Sequence, residues 1–225
     1  MVPAFRLKEV TEELKFSFET NPNWNNRLIG FVFCRPELSL ANSQIIPNLD
    51  YYHHRSGKNT DFFFAGYGQY WEGLIQEIPD QVKVTSGRSI NWLFSLERFN
   101  EFREELERNT NWNYSGSIDL LLCNASRQKR DDGFIDFSNF FYCDLEKMIN
   151  DKVIISIERL FENIFKYAES PNETNPAANF IVTRDIEGIK KTLTKIINGL
   201  LNKVAGIELE GIRNNFIKNL AKNAI

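Results

Sequence analysis

The chain has little cysteine, proline or glycine for its length: three, seven and twelve residues among 225. Cys34, Cys123 and Cys143 are odd in number and lie 89 and 20 residues apart, which suits neither a disulfide framework nor a zinc-binding thiolate pair. Free thiols in a reducing compartment are expected. Histidine is scarcer still. His53 and His54 are the only two, and as neighbours on a helix they point about 100° apart, so they cannot grip one ion together. No metal and no cofactor is expected. Long apolar runs are missing too: Phe62–Gly66 and Leu120–Cys123 break off quickly, far short of the roughly 18 apolar residues a membrane-spanning helix needs. There is no surplus of basic charge, with 27 Lys and Arg against 30 Asp and Glu, so a nucleic-acid partner is disfavoured. Met1–Val10 carries Arg6, Lys8 and Glu9 and no apolar core, which does not read as a secretory signal. A cytoplasmic location is the expectation.

Present instead are 42% hydrophobic and 25% charged residues, the proportions of a folding globular chain, with 19 phenylalanines to fill its core. The charge is uneven. From Arg184 onward there are eight basic residues against four acidic ones, a surplus of four in a chain of net charge −3, so the preceding residues carry −7. Just before this change lies the polar stretch Ser170-Pro171-Asn172-Glu173-Thr174-Asn175-Pro176, which reads as a connector. The expected organisation is an α/β domain over residues 1–169, a linker over 170–183 and a helical segment over 184–225.

Within the first part, Arg27-Leu28-Ile29-Gly30-Phe31-Val32-Phe33-Cys34 and Thr60-Asp61-Phe62-Phe63-Phe64-Ala65 read as strands buried on both faces. Between them Leu38, Ala41, Ile45, Leu49 and Tyr52 recur at helical spacing, with Pro47 set to kink the helix because it has no N–H to bond one turn back. A strand, helix, strand unit of this length favours parallel pairing. Trp71 to Phe94 is ambiguous apart from Val82–Thr85, which alternates like a short edge strand. Leu96, Phe99, Phe102 and Leu106 then give a helix that Ser95 can cap. Ile118–Cys123 and Phe134–Cys143 pair as an antiparallel hairpin around a charged tip, Ser126–Gly133, and Ile157, Leu160, Phe161, Ile164, Phe165 and Ala168 mark a last helix after Ser156.

This order of elements, parallel in its first half and a hairpin in its second, resembles the thioredoxin-like fold over about residues 28–168. Cys34-Arg35-Pro36-Glu37, where the first strand feeds the helix, is similar to one half of that family's Cys-x-Pro-Cys redox site. The resemblance implies a mixed sheet of about four strands flanked by helices. It does not extend to dithiol chemistry, because Glu37 stands where a resolving cysteine is needed. The residues before Ile118, Trp112-Asn113-Tyr114-Ser115-Gly116-Ser117, also contain no proline to match the family's cis-proline.

Three places could carry function. Cys34 could act as a single thiol if the helix N-terminus and Arg35 favoured its thiolate; the competing reading is an inert apolar residue at a strand end. Gly66, Tyr67, Gly68, Tyr70 and Trp71 follow a parallel strand at the end where open α/β sheets bind ligands, so they are a candidate binding loop. Downstream, Ile189, Leu193, Ile196 and Leu200 form an apolar stripe flanked by lysines, and Ile207, Ile212, Phe216 and Leu220 suggest a second, shorter helix. Such a stripe suits docking on the chain's own acidic domain, a second copy or a protein partner, and less readily a membrane surface. The functional expectation is a non-catalytic binding module. A Cys34 monothiol or glutathione-dependent enzyme and a membrane-associating effector are the alternatives.

Overall fold

A computed structural model describes residues 6–21, 26–56, 60–68, 81–87, 91–130, 133–169 and 212–214. The stripe at Ile189, Leu193, Ile196 and Leu200, the connector at 170–176, and Tyr70 and Trp71 lie outside these residues.

The two Phe-rich strands pair as their composition suggests. β1 (Asn26–Phe33) and β2 (Thr60–Phe64) run parallel, with Phe31 opposite Phe63. On its other side β1 is antiparallel to β6 (Asp119–Arg130), and β6 forms a hairpin with β7 (Gly133–Asp144). The hairpin strands run further into the charged tip than their apolar pattern indicates, with register shifts after Cys123 and Ala125. A three-residue strand, β8 (Ile212–Asn214), adds to β7 and completes the sheet order β2-β1-β6-β7-β8. Helical spacing placed Ile212 on a helix. The open hydrogen-bonding edge of β7 and a β-branched isoleucine favour strand pairing there instead.

Side-chain alternation divides the core into two layers. Phe31, Phe33 and Phe63 point to one face, where Phe31 and Phe33 meet Phe99 and Phe102 of α3 (Leu96–Asn109) at 5.5–5.8 Å between ring centroids. Phe62 and Phe64 point to the other, against Phe161 and Phe165 of α5 (Ile157–Glu169) and Tyr52 of α2 (Leu49–Arg55). The result is a sheet between helical layers, a mixed α/β architecture. Ser95 caps α3 by accepting from the Arg98 amide, and Ser156 does the same for α5 through Arg159.

α1 (Leu7–Thr20) escaped the sequence reading. Its signal is present in Leu7, Val10, Leu14 and Phe18, the last three buried, but a largely charged remainder dilutes it. The helix is tied down at both ends. The Leu7 amide donates to Glu105 at 2.6 Å, and Arg127 from the hairpin donates to the carbonyls of Phe18 and Asn21. A residue that looked like part of a solvated tip therefore closes a helix C-terminus.

Pro47 acts as expected, in an unexpected form. The helix before it widens to a π turn at Ala41–Ile45, tightens to a 3₁₀ turn at Ile46–Asn48 and resumes as α2, while the Gln44 carbonyl accepts from the Asn48 and Tyr52 side chains. Beside this kink lies a second sheet, β3 (Tyr67–Gly68), β5 (Asn91–Ser95) and β4 (Gln81–Thr85), with β4 on the edge as anticipated. It is clamped to α2 by one carboxylate: Asp50 accepts from Trp92 Nε1 at 2.8 Å and from Ser86 Oγ, all three residues being buried. The Gly87 amide adds a bond to the Pro47 carbonyl at 2.9 Å. Leu145–Asn150, following β7, is a short helix, α4, capped by Asp144. No helix among the described residues is long and apolar enough to cross a membrane.

Candidate functional site

The register of the central strands gathers the chemistry at one end of the sheet. Phe33 at the end of β1 lies opposite Asp119, and Asp119 lies opposite Asp144. Cys34 follows directly, and the chain leaving β2 passes next to it.

That passage depends on Gly66. Its φ of +78° belongs to the left-handed region, and a Cβ there would sit 2.8 Å from the Ser95 carbonyl oxygen. The glycine lets the chain step from the main sheet into the second one, where Gly66 O accepts from the Ser95 amide at 3.0 Å. Gly66, Tyr67 and Gly68 are accordingly buried in a strand and its approach, where the sequence suggested an open loop. Gly66 serves close packing, and beside it the Tyr67 ring packs at a tilt on Phe94, 4.9 Å between centroids, and pairs in register with it.

Tyr67 also covers Cys34. The Cys34 Sγ lies 4.0 Å from the Tyr67 hydroxyl, and the sulfur has no solvent exposure. Burial pushes its thiol up to about 12, only partly offset by the tyrosine hydroxyl. Arg35, which could have favoured a thiolate, is engaged with Glu37 at 3.1 Å. At neutral pH a thiol of this kind stays protonated. Cys123 and Cys143 are equally buried and their thiols are also raised by burial, as packing residues should be.

Next to Cys34 is a polar cluster that sequence reasoning did not single out. Asp119, with no exposure, accepts from Trp112 Nε1 at 3.1 Å and the Ser115 amide at 2.9 Å on one oxygen. On the other oxygen it accepts from Ser115 Oγ at 2.6 Å and Tyr142 Oη at 3.2 Å. The loop that supplies these donors is fixed further by Glu107, which accepts from the Tyr114 amide, and Glu146, which accepts from Ser117 Oγ. Burial outweighs the donors and pushes the Asp119 carboxyl up to about 6, with the Asp144 charge adding to the rise. The available signal was an aspartate inside the apolar run Ile118–Cys123, a position where an ionisable group needs built-in partners.

His53 is half-buried with its ring edge-on to Trp92 at 6.1 Å, while His54 is exposed. Among the described residues no group of three His, Cys, Asp or Glu side chains is arranged to hold a metal. Compared with known proteins, the chain matches no family model, no curated protein and no solved structure.

Proposed function

We propose that this protein is a non-catalytic binding module with a thioredoxin-like plan, working through protein–protein contacts that its C-terminal segment makes with a second copy or a partner. The observation that carries the reading is the state of Cys34. It occupies the strand-to-helix position where a redox relative would expose its thiol, yet it is sealed beneath Tyr67 with its thiol raised to about 12. The order β2-β1-β6-β7, with a parallel pair followed by a hairpin, is compatible with the thioredoxin-like plan and supports that part of the proposal. With the sulfur buried and Glu37 in place of a second cysteine, the fold's chemical end is left with packing to do. The apolar stripe at Ile189, Leu193, Ile196 and Leu200, with its lysines, is the feature that suits contact with an acidic surface.

Sedimentation of the full chain over a concentration series tests this, alongside a Leu193→Glu/Ile196→Glu variant. Self-association in the parent that the double variant loses supports the module reading. A chain that stays monomeric and instead co-sediments with anionic vesicles favours the membrane-associating alternative. A thiol-transfer or glutathione-dependent activity that disappears in Cys34→Ser would establish the enzyme alternative.

A further inference from the structure

A cleft of about 330 Å³ opens beside the Pro47 kink, between the helical run 41–55, the end of the second sheet and the first turn of α5. Its walls are Pro47, Asn48, Asp50, Tyr51, Gly87 and Glu158. Asp50 and Glu158 bring carboxylates to it from two different helices, the first 2% exposed and the second open to solvent. Among the described residues no lysine or arginine lines it. We propose that this cleft binds a small organic cation, an alkylammonium or guanidinium compound rich in N–H donors. The inference stands apart from the thioredoxin-like reading and from the C-terminal segment.

The hydrogen bonds around the cleft direct its donors elsewhere and leave acceptors. Asn48 Nδ2 donates to the Gln44 carbonyl at 3.1 Å, the Tyr51 hydroxyl to Glu162, and the Gly87 amide to the Pro47 carbonyl at 2.9 Å. Backbone amides of the two helices are engaged as well. The Leu49 amide donates to the Ile46 carbonyl, so α2 continues the preceding turn and does not start as a free helix end. At the start of α5 the Ile157 amide donates to Gln44 Oε1 and the Arg159 amide to Ser156 Oγ. These amides are therefore not on offer to an anion. The acceptors are less fully used. Asp50 receives one bond on each oxygen, from Trp92 Nε1 and Ser86 Oγ, whereas a carboxylate has room for about four. Among the described residues Glu158 has no cationic partner.

A ligand here has to supply donors and positive charge together, which an ammonium or guanidinium group does and a phosphate or carboxylate does not. A bare metal ion fits less well. No group of three His, Cys, Asp or Glu side chains among the described residues is arranged to hold one, and the cleft has the volume of a small-molecule site. Pro47 and Tyr51 supply apolar surface for a short carbon chain, and a tyrosine ring also attracts a cation. Asp50, being buried, holds a cation with little screening by salt, while the exposed Glu158 is screened more. The same geometry provides a reporter, because the Trp92 indole shares the Asp50 carboxylate with whatever enters the cleft.

Diaminobutane titrated into the isotope-labelled full chain, followed by nuclear magnetic resonance, tests the assignment. The Trp92 Nε1 and Gly87 amide signals should shift saturably, half-complete below about 5 mM, while Trp112 Nε1, held by Asp119, stays in place. Butanediol, of the same length without charge, should move none of them. Glu158→Gln removes an exposed charge without touching the core and should weaken binding about fivefold. Asp50→Asn should weaken it further, and Glu104→Gln, on α3 across the sheet, should leave it unchanged. No saturable shift by about 20 mM, an equal response to butanediol, or parent-like binding in Glu158→Gln would overturn the proposal. Calcium chloride producing the same shifts at the same concentration would overturn it too, by marking a site for inorganic cations only.

Discussion

Replacing Asp50 with alanine removes a carboxylate that fastens the second sheet to the kinked helix. Asp50 is 2% exposed and accepts from Trp92 Nε1 at 2.8 Å and from Ser86 Oγ. Without it the indole N–H of Trp92, a residue with no exposure, has lost its acceptor; such a buried donor costs about 1–3 kcal/mol. The serine hydroxyl can rotate to another partner, and removing a buried charge returns part of its desolvation cost. The net loss should be about 2 kcal/mol. Trp92→Phe leaves the opposite fault, a buried carboxylate with one partner fewer, and adds the loss of part of a large side chain, for about 3 kcal/mol. Because each single change already breaks the same bond, the double variant should be more stable than the sum of the two predicts, by about 1.5 kcal/mol or more. Urea unfolding at pH 7 measures all three, with about 1 M in midpoint for each 2 kcal/mol. Additivity within about 0.5 kcal/mol would show that Asp50 and Trp92 do not act together and would refute the clamp.

Three further outcomes follow from the geometry. Phe102→Ala, which empties a site between Phe31 and Phe33, should cost about 3–5 kcal/mol in the same assay. Gly66→Ala and Gly116→Ala both force a side chain to positive φ, but a Cβ at 116 meets nothing within 4 Å whereas one at 66 meets the Ser95 carbonyl oxygen at 2.8 Å. The first should therefore cost at least about 3 kcal/mol and the second about 1 kcal/mol, as comparison of their urea midpoints will show. Asp119 binds its proton more tightly in the folded chain, at about 6 against an ordinary 3.8, so its contribution to stability is full below pH 4. That contribution, of the order of 3 kcal/mol, is lost as pH rises through 6; Asp119→Asn should remove this slope from a plot of unfolding free energy against pH.

The parts of the fold that could be read from sequence are those in which one segment states its own structure. Strands β1, β2, β6 and β7 carry dense runs of phenylalanine, leucine and isoleucine, and α3 and α5 carry apolar faces behind a serine cap. α1 states itself less clearly, since its buried face is one residue wide and its charges pair along its surface, Lys8 with Glu12 and Lys15 with Glu19. Strand β5 and the Gly66 crossing take their form from partners distant in the chain, and a glycine pair after a strand looks the same whether it opens a loop or admits a close neighbour. The polar hubs were the least legible. Asp50 is matched to a tryptophan 42 residues away, and only that match separates a clamp from a surface aspartate on a helix.

The burial of Cys34 bears most directly on what this protein does, and its reactivity can be measured in the native chain. Titration with a chromogenic disulfide at pH 7.5 should release no thiol equivalent from the folded protein, and three once it is unfolded in denaturant. One equivalent released from the folded protein and mapped to Cys34 would contradict a sealed sulfur and the non-catalytic account built on it.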